Sequence, residues 1–189
     1  MSAVPGDAPG RFVVLTGCSG GGKSTVLAEL ARRGHAVVAE PGRRVVQAQM
    51  LAYGRALPWL DLAAFLHHVI DVARDDLASA PASGWVFFDR GLIDAAVALA
   101  HLQGTPLQET LEHAPRFYRR VFVAPPWPEI YVQDDARRHD LASANAEYER
   151  LRAAYPALGY TLTPLPKTGV AERSDFILAT LRADNAGMH

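Results

Sequence analysis

One cysteine, Cys18, is the whole of the thiol chemistry in this 189-residue chain, which excludes an intrachain disulfide and suits a reducing compartment. No apolar run reaches the roughly 18 residues of a membrane-spanning helix. The opening Met1-Ser2-Ala3-Val4-Pro5-Gly6-Asp7 also lacks the charged and apolar regions of a signal peptide. The expectation is a cytoplasmic protein without membrane insertion. A charge excess is missing too: 19 Lys+Arg meet 20 Asp+Glu for a net −1, so no global field favours a nucleic acid backbone or an anionic bilayer. No nucleic-acid partner is expected, and positive charge must act locally. Repeats and linkers are absent, and this length suits one compact domain. The expected layout is a flexible lead-in over residues 1–10, one domain over 11–182 and a loose tail over 183–189.

What the chain does have is alternation. Apolar, strand-type runs fall at Phe12–Leu15, Ala36–Ala39, Trp85–Phe88, Arg120–Val123 and Tyr160–Pro164. Helical spacing falls between them: Lys23–Arg33 closed by Gly34, Pro41 to about Ala52, a long stretch to about Ala80 with Asp61 as its N-cap, Leu92–Leu102, and Val170 to about Leu181. Thr105-Pro106-Leu107-Gln108 combines a capping-box pattern with proline at the first helical position, predicting a short helix to about His113. Asp134 to Tyr155 reads as largely helical, interrupted at Pro156 and Gly159. Five apolar strands separated by helices imply an α/β fold, its parallel sheet covered on both faces.

The most specific local signal follows the first strand. Gly17-Cys18-Ser19-Gly20-Gly21-Gly22-Lys23-Ser24-Thr25 fits G-x-x-x-x-G-K-[ST], the phosphate loop of a P-loop NTPase. Glycines let the backbone take positive φ and turn N–H groups onto phosphate oxygens, and the next helix adds unpaired donors and a positive dipole end. Gly17, Ser19, Gly20, Gly21, Gly22, Lys23, Ser24 and Thr25 are the expected nucleotide-binding residues. Lys23 is placed to reach the β and γ phosphates and the Ser24 hydroxyl to sit on Mg²⁺. Cys18 reads as a filler of this loop rather than a nucleophile.

Other residues address what happens to the nucleotide. Asp89 ends a buried strand, where strand carboxyl ends meet the ligand crevice, so it can hold Mg²⁺ or its waters; helix N-cap is the bland alternative. Arg90 beside it can contact phosphate or orient an acceptor, or form a surface ion pair. Asp94 is either a solvated helix residue or a supporting partner. Glu40, ending the second strand, can serve as general base to an acceptor hydroxyl, pair with Arg43 or Arg44, or join the metal shell. The cluster Gln133-Asp134-Asp135-Ala136-Arg137-Arg138-His139-Asp140 is either a solvated face or a lid whose arginine, Arg137 before Arg138, meets the transferring phosphoryl group. Lys167-Thr168-Gly169 is a base contact or a plain turn. Trp59 and Tyr53 can line an acceptor pocket or pack in the core. His67 and His68, adjacent on a helix, cannot form an i,i+4 metal pair.

Taken together these residues resemble the NadR-type AAA domain family, P-loop ATPases related to the ribosylnicotinamide kinase half of NadR. The resemblance runs from about Phe12 to Leu178. It rests on Gly17–Thr25, Glu40 with Arg43 or Arg44, Phe88-Asp89-Arg90-Gly91 with Asp94, and Ile130-Tyr131-Val132-Gln133-Asp134 with Arg137. Tyr155 with Leu158-Gly159-Tyr160, and Glu172-Arg173 before Phe176-Ile177-Leu178, complete it. It implies a fold nearer nucleoside and nucleotide kinases than hexameric AAA motors, with relatives that range from a metabolic kinase module to eukaryotic proteins binding GTP and acidic phospholipids. The expected activity is Mg²⁺-dependent binding of ATP or GTP and transfer of the γ phosphate to an unidentified small-molecule hydroxyl activated by Glu40 or Asp89, with Lys23, Glu40, Asp89, Arg90 and Arg137 as catalytic candidates and Ser24 and Asp89 as metal ligands. The rivals are a nucleotide-dependent switch that binds a lipid or protein partner and hydrolyses slowly, and a simple ATPase.

Overall fold

A computed structural model of the chain describes residues 10–127 and 141–186. Within these, β1 (Phe12–Gly17), β2 (Ala36–Val38), β3 (Val86–Asp89), β4 (Arg120–Ala124) and β5 (Thr161–Pro164) form one parallel sheet in the order β2-β3-β1-β4-β5. The order reverses on either side of β1, the geometry that opens a ligand crevice at strand carboxyl ends. Seven helices connect the strands: α1 (Lys23–Arg32), α2 (Pro41–Leu51), α3 (Leu62–Ser79), α4 (Leu92–Gln103), α5 (Leu107–Leu111), α6 (Leu141–Ala157) and α7 (Val170–Ala186).

The strands read as continuous apolar runs because both of their faces are covered. Val13, Leu15, Phe87 and Phe122 pack with Val26, Leu27 and Leu30 of α1 and Ile177 and Leu181 of α7. Their neighbours Phe12, Val14, Val86, Phe88 and Val121 point the other way, into Leu66, Val69 and Ile70 of α3, Leu92 of α4 and Leu151 of α6. Register makes this consistent: Val13 lies opposite Phe87, and Leu15 opposite Phe122. No helix among the described residues is long and apolar enough to cross a membrane.

Most expected elements are present, and Asp61 does cap α3, accepting from the Ala64 N–H at 2.9 Å. Three details differ. Pro106 takes the N-cap position of α5 rather than its first turn; the Glu109 N–H bonds the Pro106 carbonyl at 3.1 Å, and no side chain caps this helix. Pro156 does not interrupt α6 but lies inside its last turn, where no further helix has to be carried past the lost N–H. The helix then closes at Gly159, whose φ is +86°.

The third correction concerns the tail expected to be loose from Ala183. α7 runs on to Ala186, and Asp184 accepts two bonds of 2.6 Å from the Arg120 guanidinium, tying the helix end to β4. Those bonds hold the Asp184 carboxyl below its ordinary value of 3.8. A depressed carboxyl contributes stability that is present above its unfolded pKa and lost as pH falls through the folded one. Asp184→Asn is therefore expected to cost about 1 kcal/mol at neutral pH. Denaturant midpoints of the two proteins should converge in acid below the depressed value; an equal gap at both pH values would contradict this.

Candidate functional site

The site grows from the carboxyl edge of β1. Gly17 is demanded there: its φ is +111°, and a Cβ would lie 2.3 Å from the Ala124 carbonyl oxygen, a clash no side chain avoids. Such close approach lets the Cys18 N–H bond Ala124 O at 2.9 Å, anchoring the loop to β4. Cys18 itself is 1% exposed, and burial pushes its thiol up despite Lys23 nearby, so it fills space as expected. Gly22, at φ +73°, turns the chain into α1. Of the expected nucleotide-binding residues, Ser19, Gly20, Gly22, Lys23, Ser24 and Thr25 line one cavity of about 400 Å³. Gly17 and Gly21 stand behind it, shaping the loop. The Thr25 hydroxyl turns back to Gly22 O at 2.8 Å.

Lys23 is buried and donates to Cys18 O at 2.9 Å. Burial, then the charge of Arg90, lowers its pKa. Ser24 donates to Asp89 Oδ2 at 2.9 Å, while the buried Asp89 Oδ1 has no hydrogen-bond partner. Asp89 is not a cap: Gly91 takes the N-cap position of α4, with no side-chain cap bond. Burial raises its carboxyl pKa. An orphaned carboxylate oxygen beside a serine hydroxyl fits the donor set a Mg²⁺ ion takes, alongside phosphate oxygens and water.

Arg90 is the hub of the site. Its backbone is left-handed, φ +59°, a conformation costing a non-glycine residue about 1–2 kcal/mol. The guanidinium bonds Gly17 O at 3.0 Å and Glu147 at 2.5 and 3.3 Å, and lies 3.5 Å from Glu40 and 3.7 Å from Asp94. Burial lowers its pKa, but the carboxylates of Glu147, Glu40 and Asp94 outweigh that, and the net shift is upward. The surface ion pair, the alternative reading for Arg90, is thus excluded in favour of a buried network. Asp94 is buried as well, not solvated: Tyr155 donates to its Oδ2 at 2.7 Å, Thr16 donates to Oδ1, and burial raises its pKa. Glu40 pairs with Arg90 and, at 3.9 Å, with Arg43; Arg44 turns instead to Asp76.

A second cavity, about 390 Å³ and mostly apolar, lies between α2, α3, α4 and α6. Val46, Phe65, Leu66, Val69, Ala98 and Leu151 supply walls, and Ser19, Glu40 and Arg90 border both cavities. Trp59 and Tyr53 take no part, being 37% and 95% exposed; the loop before α3 contributes Pro58 instead. His67 and His68 face solvent, and no group of three or more metal-ligating side chains occurs among the described residues. Thr168 and Gly169 line the nucleotide cavity, whereas Lys167 is exposed. Arg137 and its cluster lie outside the described residues. Three participants were given no chemical role in the sequence reading: Glu147, Trp127 and Arg173, the last named only within the Glu172-Arg173 motif of the resemblance. Arg173 bonds Gly21 O at 3.1 Å and sits 5.3 Å from the Trp127 ring centroid. Its place in the Glu172-Arg173 motif was the available signal, though the motif alone does not say which way the side chain points.

Comparison with known proteins bears on this geometry. The AAA domain family model matches residues 12–173. No curated protein matches the sequence. Among solved structures, deoxyadenosine kinase from M. mycoides with bound dATP superposes with a TM-score of 0.62 at 15% identity, covering 90% of this chain and 98% of that one. Shikimate kinase from Acinetobacter baumannii in complex with shikimate gives 0.56 at 16%, covering 92% and 93%. NadR protein in complex with NR gives 0.60 at 21%, covering 85% of this chain and 47% of that one. These likenesses establish the fold: a P-loop kinase-like α/β domain.

Proposed function

We propose that this chain, which belongs to the NadR-type AAA domain family, is a small-molecule kinase. The observation that carries this reading is the pair of cavities meeting at Ser19, Glu40 and Arg90, one cradled by the phosphate loop and the other walled by apolar side chains. A simple NTPase needs only the first. A phosphotransferase needs two compartments sharing a wall where the γ phosphate and the acceptor oxygen meet.

In this reading the loop amides and Lys23 hold the triphosphate of ATP or GTP, and Ser24 and Asp89 hold Mg²⁺, which neutralises charge on the phosphoryl oxygens when bound. Glu40, at the shared wall, takes the proton of the acceptor hydroxyl. The acceptor oxygen then bonds the γ phosphorus as the bond to the bridging oxygen breaks, and the nucleoside diphosphate leaves. Arg90 is a positioning residue, holding Glu40 and the loop carbonyl of Gly17 in one frame. Arg137, in the segment following β4, is the proposed source of a further guanidinium on the transferring group.

The test is a screen of nucleosides and related alcohols with ATP or GTP and Mg²⁺, following phosphorylated product by mass. An acceptor that gives product stoichiometric with diphosphate supports the kinase. Phosphate release with no acceptor product would shift the reading to an ATPase. Tight nucleotide binding with neither product nor appreciable release would favour the regulatory switch.

A further inference from the structure

Arg173 presents an electrostatic imbalance. It is 3% exposed, and burial alone lowers its pKa; no carboxylate among the described residues pairs with it. Its one hydrogen bond runs from Nη1 to a backbone carbonyl, that of Gly21, and its Nε has no partner. The Trp127 ring steadies the guanidinium plane, an interaction of about 0.5–2 kcal/mol. That is small beside the several kcal/mol of desolvating an ion.

Lys23 borders the same cavity and is buried too. Asp89 is the carboxylate beside it, while Arg90 is matched by Glu40, Asp94 and Glu147. Of the residues that line the phosphate-loop cavity, Lys23, Arg90 and Arg173 are basic and Glu40 and Asp89 acidic. Its wall thus holds one cation more than anions, and Arg173 is the one without a carboxylate partner among the described residues. A fold keeps an uncompensated buried cation where a mobile anion completes the pair. The helix that carries Arg173 is itself anchored, since Ser174, Ile177 and Leu181 of α7 are buried as well.

We propose that Arg173 is a second phosphate-binding residue, built into α7 and fixed before the ligand arrives, which pairs with the polyphosphate of the nucleotide across the loop from Lys23. This rests on the nucleotide-binding reading and deepens it. The recognised chemistry is the polyphosphate chain, so an inorganic polyphosphate without a base binds as well. Trp127 holds the guanidinium flat against the loop and turns its unused N–H edge to the anion.

The experiment measures binding of inorganic tripolyphosphate, ATP and adenosine to the full chain and to Arg173→Met by calorimetry over a range of salt. The variant is expected to bind tripolyphosphate and ATP at least about tenfold more weakly, with a shallower salt dependence and unchanged adenosine binding. Its ligand-free melting temperature should not fall, because a buried unpaired charge has gone. Arg173→Gln, which keeps a donor for Gly21 O, should show the same anion defect if Arg173→Met folds poorly. Tripolyphosphate affinity and salt slope equal to wild type would overturn the proposal, as would an equal loss of adenosine. Failure of the wild-type chain to bind either polyphosphate would overturn the nucleotide reading as well, a result distinct from a variant that binds normally.

Discussion

Lys23→Met is expected to weaken ATP binding by about a hundredfold and to lower turnover by about a thousandfold. The ammonium has little else to do: its hydrogen bond goes to a loop carbonyl, and burial lowers its pKa. A lysine whose folded pKa lies below its unfolded one subtracts stability while it is charged in the fold. That cost is full at acid pH and fades as pH rises through the folded value. Methionine removes the charge and keeps most of the volume, so the ligand-free variant should melt no lower than wild type at neutral pH. The added ligand should then raise the melting point of wild type alone. Wild-type nucleotide affinity in the variant would dismiss the loop as a triphosphate site.

Arg90→Met is expected to act mainly through stability, lowering it by about 3–5 kcal/mol, roughly 10 °C in melting temperature for a chain of this size. The guanidinium faces Glu40, Asp94 and Glu147 at once and also bonds Gly17 O. Its loss strands three carboxylates around one buried point and frees the loop carbonyl. Lysine should restore little, because one ammonium cannot span a fork of four partners. The double variant Arg90→Met, Glu147→Gln should lose less than the two single variants summed, as directly bonded partners do. Strict additivity in denaturant unfolding would show that the pair is not coupled.

Residues whose placement was legible in the sequence are those positioned by local structure. Gly17, Gly22 and Lys23 owe their positions to a few neighbouring dihedrals, Asp89 to being the last residue of an apolar strand, and Glu40 to lying two residues beyond another, at the N-cap of α2. A parallel sheet places such strand ends along one edge whatever else the chain does. Residues read poorly depend on partners far along the chain. Arg90 resembles a surface ion pair until Glu147, on α6, closes over it. Asp94 resembles a solvated first-turn acid until Thr16 and Tyr155 reach it from β1 and α6. Arg173 is one charge among several on α7, and only the packing of Ile177 and Leu181 against α1 decides that it points inward. Trp59 and Tyr53 fit neither of their two readings, core or pocket wall: Tyr53 stands in solvent at 95% exposure and Trp59 is partly exposed at 37%, and neither lines either cavity.

The walled-in sulfur of Cys18 makes the chain convenient for spectroscopy. Cysteines introduced at the exposed positions Asp75 on α3 and Ala146 on α6 would carry the sole reactive handles, with no native thiol to strip beforehand. A fluorophore or spin-label pair at those points reports on α3 and α6, two of the helices that wall the apolar cavity, and would register their relative movement as each substrate is added.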